Sequence, residues 1–180
     1  WSSAPRQPGA SMLVGPDGSV VGSLSGGCVE GDVYAVAEQV LADGLATARR
    51  YGVSDAEAAE VGLTCGGTID VFVERVAPEG FADLDAVAAD VDAGRPVAVV
   101  TVVRHPDPDV VGRRMVVRPG SAPDGTLGSA RRDDAVQADA GGLLDVGHAG
   151  LLTYGPDGER RGEGLEVFVA TYAPRPRMPT

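Results

Sequence analysis

Two stretches of this sequence are versions of one another. Gly9-Ala-Ser-Met12-Leu-Val14 returns as Gly112-Arg-Arg-Met115-Val-Val117, an offset of 103 (112 minus 9). Without a gap, the same offset lays Gly22-Ser-Leu24 on Gly125-Thr-Leu127, Val33 on Val136, Ala35 on Ala138, Leu41 on Leu144, Gly44 on Gly147 and Tyr51-Gly52 on Tyr154-Gly155. The offset then falls to 96, with Val71-Phe72-Val73 on Val167-Phe168-Val169 and Ala77-Pro78 on Ala173-Pro174. Self-similarity at a fixed spacing means one supersecondary unit used more than once. The expected fold is therefore α/β: a mixed sheet flanked by helices, built from two degenerate βαβ-like repeats over about 1–78 and 79–174.

Local patterns fill in the unit. Ser11–Val14 and Ser19–Leu24 are β-rich runs around Gly15-Pro16-Asp17-Gly18, a turn in which proline fixes φ and glycine supplies φ > 0. Val29, Val33, Val36, Ala37, Val40 and Leu41 recur at helical spacing from about Cys28 to Ala42, with Gly44 placed to cap the helix. Ser54–Glu60 reads as a short capped helix, Thr68–Glu74 as a strand and Phe81–Ala93 as a helix. Pro96–Val103 is apolar on both faces, which predicts a central strand. Copy two is preceded by that helix and strand, whereas copy one has only eight residues ahead of Gly9, so an equivalent helix and strand are expected upstream of residue 1. Residues 1–174 are read as one domain of this kind, and the proline-rich 175–180 as the start of a linker to a further domain.

The repeat is also an internal control. A position kept in both copies can be explained by the shared fold; a position found in one copy needs another reason. Both cysteines are of the second kind. Cys28 lies in Ser25-Gly26-Gly27-Cys28-Val29-Glu30-Gly31, and copy two has Ser129-Ala130-Arg131 where Gly26-Gly27-Cys28 stands. The seven residues lost in copy two (103 minus 96) fall where Thr64-Cys65-Gly66-Gly67 would be. Glycine allows close approach of backbone to a ligand at an entropic cost. We expect these two loops to form one site.

A loop that enters a helix presents unpaired N–H groups and a positive dipole end, which suit an anion and favour the thiolate of Cys28. Arg6 would add a cation and Glu30 a dipole partner in the first turn. Two thiols beside an anion suit a soft metal, sulfur transfer, or a reversible disulfide. The glycine spacing is not that of a dinucleotide fold, and the chain has no lysine for a phosphate loop or a Schiff base. Two isolated cysteines do not complete a zinc site. His105 and His148 read as solvated loop residues and Asp70 as a solvent-facing strand residue. A net charge of −11 argues against nucleic acid and anionic membranes, and the cysteine usage fits a cytoplasmic location.

Ser2-Ser-Ala-Pro-Arg6-Gln-Pro-Gly-Ala10, Pro16-Asp-Gly18, Gly22-Ser-Leu-Ser-Gly-Gly-Cys-Val-Glu-Gly31 and Gly62-Leu-Thr-Cys-Gly-Gly67, in that order, resemble the signature of the XdhC/CoxI family of xanthine dehydrogenase accessory proteins. The resemblance implies a maturation factor that binds molybdopterin, the molybdenum cofactor, promotes or protects its sulfido ligand with a cysteine desulfurase, and passes it to an apo molybdenum hydroxylase. It implies an accessory factor rather than a catalyst by itself. The cofactor would lie on Ser25, Gly26, Gly27, Cys28, Glu30, Gly31, Thr64, Cys65, Gly66, Gly67 and Arg6, with Cys28 and Cys65 nearest the molybdenum or its sulfur. The copies could pack within one chain or across a homodimer. A thiol/disulfide redox enzyme using Cys28 and Cys65 is the alternative, and an interaction domain with inert cysteines a third reading.

Overall fold

The structure, a computed structural model, describes residues 8–52, 68–77, 80–81 and 83–173. The chain divides into two compact units, Trp1–Arg75 and Val76–Thr180. The first unit opens with a hairpin of β1 (Met12–Val14) and β2 (Val20–Gly22), with Leu13 opposite Val21. The Asp17 carboxylate accepts the Ser19 N–H at 3.0 Å and the Gly15 N–H donates to Ser19 O, closing the turn. Gly22 has φ +91, and a side chain there would collide with the Ser11 carbonyl. Helix α1 (Glu30–Asp43) buries Val33, Val36, Ala37 and Val40, and ends at Gly44, whose left-handed φ of 75° lets its N–H reach Val40 O. Strands β3 (Thr47–Tyr51) and β4 (Ile69–Val73) form a second antiparallel pair. The core of the unit is Leu24, Val29, Val33, Tyr51 and Val71, with Met12, Cys28, Ile69 and Val73 packed against it.

The second unit runs through α2 (Leu84–Asp92), β5 (Val97–Arg104), a 3-10 turn at Pro108–Val110, β6 (Arg114–Val117), β7 (Asp124–Gly125), α3 (Ala130–Val146), β8 (Gly150–Tyr154) and β9 (Leu165–Tyr172). Its five strands are ordered β7-β6-β5-β9-β8, with β5 in the centre as its unbroken apolar run predicts. One face of β5 sends Ala98, Val100 and Val102 into a core with Val136, Ala140 and Leu144 of α3. The other sends Val97 and Val99 towards Val116 and Val87 of α2. Alternation along one strand thus builds a helix–sheet–helix sandwich.

The α/β expectation holds and the repeat is structural. Strand β3 maps on β8 at an offset of 103 at both ends, β1 on β6 and α1 on α3 at the same offset, and β4 on β9 at 96. Gly125 repeats Gly22, with φ +85 and a close approach to the carbonyl of Arg114, the counterpart of Ser11. The mixed sheet is corrected: every strand pair among the described residues is antiparallel. The reason lies in strand order. The strands joined by α3, β7 and β8, sit at opposite edges of the sheet, so the helical connection makes no parallel neighbours. Among the described residues, the first unit has no strand in the place of β5. The predicted helix at Ser54–Glu60 lies outside the described residues.

Candidate functional site

Between β2 and α1 the chain does not run straight into a helix. Gly26 and Gly27 take φ +81 and +114, a region that side-chain-bearing residues rarely adopt. Among the described residues, nothing lies within 4 Å of where a Cβ would stand on either. Their requirement is therefore conformational. Helix α1 begins only at Glu30, with Val29 at the N-cap position and no side-chain bond from it. Copy two shows what happens without the glycines. There Ser129, extended at φ −157, is the N-cap and α3 starts at Ala130, the counterpart of Gly27 (130 minus 103). In the first unit, the glycine pair has unwound the turn of helix that Ala130 and Arg131 begin in the second. Cys28 is carried on that unwound turn, half-buried against the core.

A turn of unpaired N–H groups needs acceptors. The Glu30 carboxylate supplies them from within. Its Oε1 accepts from Ser23 Oγ at 2.8 Å and from the N–H groups of Leu24 (3.1 Å), Ser25 (2.8 Å) and Gly26 (3.0 Å). Its Oε2 accepts from Ser25 Oγ at 2.6 Å, Gly27 N at 2.9 Å and Val29 N at 3.2 Å. The buried Ser25 hydroxyl in turn accepts the N–H groups of Cys28 (3.0 Å) and Val29 (3.1 Å). Burial works against ionisation of Glu30. Hydrogen bonds from Ser25 and Ser23 outweigh it and hold the carboxyl well below the usual carboxylate range.

This bears against the expectation of an outside anion on these amides, because the protein's own carboxylate accepts from Gly26 and Gly27. Copy two assigns the carboxylate to the fold. Asp133, the counterpart of Glu30, accepts from Thr126 Oγ1 at 2.6 Å and from Leu127 N at 2.8 Å, the counterparts of Ser23 and Leu24. The signal was present in the sequence as a hydroxyl residue seven positions before an acid in each copy, Ser23 with Glu30 and Thr126 with Asp133. What copy two lacks is the glycine pair and the thiol.

The remaining candidates separate. Gly31 lies exposed on α1 with an ordinary φ, and an added Cβ would meet no described residue within 4 Å. Asp70 is held in a two-pronged ion pair by Arg50 across the β3–β4 ladder, at 2.7 and 3.1 Å. His148 is exposed, whereas His105 is half-buried and touches Arg132, a correction to its reading as solvated. Arg6, Thr64, Cys65, Gly66 and Gly67 lie outside the described residues. The flanks of residues 53–67 do bear on the site: Tyr51 and Ile69 are paired partners, and both pack in the cluster that holds Cys28. Among the described residues there is no group of three or more His, Cys, Asp or Glu arranged for a metal. Nor is any described helix long and apolar enough to cross a membrane.

The model of the XdhC and CoxI family matches residues 1–52 and 91–155, more than half of the chain. The two matched stretches end 103 residues apart (155 minus 52), which is the repeat offset. In fold the chain is similar to the crystal structure of a xanthine dehydrogenase from Bacillus halodurans, with a TM-score of 0.66 and 24% identity. That likeness covers 96% of this chain and 45% of that one, so this chain spans less than half of that protein's length. At this identity the likeness is one of fold. No curated protein matches the sequence.

Proposed function

The chain belongs to the XdhC and CoxI family, and from that premise we propose that it is an accessory factor in the maturation of a molybdenum hydroxylase, binding the molybdenum cofactor on the face of the unwound turn at Gly26, Gly27 and Cys28. The observation that carries this reading is that turn. Two left-handed glycines open a helix N-terminus that copy two keeps wound, have no described residue within 4 Å of their Cβ positions, and present a half-buried thiol. The residues fit such a group in part. Open glycine backbone suits the close approach of a flat pterin, and a thiolate is a ligand class for molybdenum or its sulfur. The loop amides do not offer themselves to its phosphate while Glu30 holds them.

Copy two supports the inclusion of Thr64, Cys65, Gly66 and Gly67 in the site. The connection between β8 and β9, which corresponds to the one between β3 and β4, packs Gly158 on the backbone of Arg131 and Arg132. Those residues are the counterparts of Cys28 and Val29. On that symmetry we propose that Cys65 serves the same site as Cys28. The cofactor supplies the hydroxylase's redox and sulfur chemistry. This chain's residues bind and shield the cofactor in a cytoplasmic hand-over that involves an apo hydroxylase and a cysteine desulfurase. The protein purified with cofactor is expected to carry molybdenum and pterin, and Cys28→Ala to lose both. Equal retention by the variant removes Cys28 from the binding role.

A further inference from the structure

We propose that the second unit carries a separate oxyanion site, for a phosphate group, formed by Arg113 and Arg132 over Gly128 with His105 beside them. Four other arginines of this unit are ion-paired: Arg95 and Arg118 with Asp90, Arg118 also with Asp124, Arg104 with Glu166, and Arg160 with Asp139. Pairing is the expected state in a chain with 26 acidic and 15 basic residues. Among the described residues, neither Arg113 nor Arg132 has a carboxylate at ion-pair distance. Yet their guanidinium groups converge. A Cβ on Gly128 would stand 3.0 Å from Arg113 Nη1 and 3.7 Å from Arg132 Nη2. Glycine, at φ +105, keeps that space clear.

One further donor points to a missing acceptor. Among the described residues, Arg132 Nε is buried without a hydrogen-bond partner. Arg132 Nη1 lies 3.3 Å from His105 Nε2, and His105 Nδ1 lies 3.0 Å from the Asp107 N and 3.2 Å from the Asp107 carbonyl oxygen. Neighbouring acids are committed elsewhere: Asp133 to Thr126 and Leu127, and Asp107 to the Asp109 N–H. Adjacent cations and an orphaned buried donor each cost free energy. A phosphate oxygen cluster satisfies all of them, and the guanidinium fork matches it. The shared fold does not require these arginines, since their counterparts in the first copy are Ala10 and Val29 (113 minus 10 and 132 minus 29, both 103).

The test is calorimetric titration of inorganic phosphate at constant ionic strength. One saturable site is expected. Arg113→Gln and Arg132→Gln should each weaken it at least tenfold, while Arg104→Gln and Cys28→Ala leave it unchanged. Arg113 is exposed, so its variant reports on binding even if the Arg132 variant fails to fold. Tighter binding of glycerol 3-phosphate than of inorganic phosphate would assign the site to a phosphate carried on a larger molecule, and equal affinity to the free anion. Absence of a saturable site, or wild-type affinity in Arg113→Gln, overturns the proposal.

Discussion

Replacing Glu30 by glutamine should unfasten the Gly26–Gly27–Cys28 turn while preserving the side chain's shape. The amide oxygen can occupy the Oε1 position and keep Ser23 Oγ and the N–H groups of Leu24, Ser25 and Gly26. The NH2 then replaces Oε2 and faces the N–H groups of Gly27 and Val29 donor to donor. Gly27 is exposed and water can rescue it, and the Val29 N–H keeps its bond to Ser25 Oγ, but the buried Ser25 hydroxyl, which donates to Oε2, loses its acceptor. One buried donor orphaned, one transferred to water and the charge lost from the remaining bonds come to roughly 2–4 kcal/mol. Asp133→Asn in copy two is the control. Its amide oxygen keeps Leu127 N, and the Thr126 hydroxyl can rotate to accept from the NH2, so the cost should stay below about 1 kcal/mol. Urea unfolding followed by circular dichroism measures both, and amide exchange at Gly27 and Val29 shows whether the loss is local. Glu30's folded value lies below its ordinary 4.5, so its contribution is complete above that pH and is lost as pH falls through the folded value. The gap between wild type and Glu30→Gln should narrow accordingly in acid. A variant within about 0.5 kcal/mol of wild type at pH 7, with unchanged exchange at Gly27 and Val29, would refute the assignment of the carboxylate as the loop's anchor.

Other outcomes follow from the same geometry. Gly31→Ala should raise stability by about 0.5–1 kcal/mol, since glycine in a helix costs that much and the added methyl meets no described residue; if the cofactor approaches this face, the same variant retains less of it. Gly22→Ala should destabilise the first unit by more than about 1 kcal/mol, through its φ of +91 and collision with the Ser11 carbonyl, and thermal denaturation would show it. Burial, followed by the bond to Asp32 at 2.6 Å, raises the Tyr51 phenol above its ordinary 10.0, and burial with Asp139 does the same for Tyr154. Their contribution is present below pH 10 and is lost as pH rises through the folded values, so ultraviolet titration should show these two phenols ionising above their ordinary 10.0.

Much of the fold was legible because the repeat supplied a comparison within one chain. The hairpins, α1, the central β5 and the equivalence of copies follow from glycines at fixed offsets and from apolar periodicity. Strand β3 was not read, since Thr47-Ala-Arg-Arg-Tyr51 is an edge strand with three exposed residues and shows no run of apolar side chains. The sheet's all-antiparallel pairing was also hidden, because strand order depends on which edges α3 connects and not on any local pattern. At this loop the sequence suggested an anion from outside, and the structure shows the Glu30 carboxylate on the amides. A string of glycines before a helix looks like a vacancy for phosphate; whether a side chain four residues on turns back to fill it is a matter of three-dimensional reach.

The two copies then sort the loop more finely than composition does. An acid seven residues after a hydroxyl occurs in both units and fastens both turns, so Glu30 belongs to the architecture. Gly26, Gly27 and Cys28 occur in one, and the glycines have an unfavourable conformational entropy that the neighbouring copy avoids with Ser129 and Ala130. Exchanging the two sequences separates the roles. Placing Ser-Ala at positions 26 and 27 should extend α1 by a turn, as in α3, and leave the unit at least as stable, because Glu30 can still accept from Ser23 and Leu24 as Asp133 does from Thr126 and Leu127. The same variant should lose bound molybdenum and pterin with Cys28 still present. Retention of the cofactor by a rewound helix would show that the thiol suffices and that the open turn serves some other purpose.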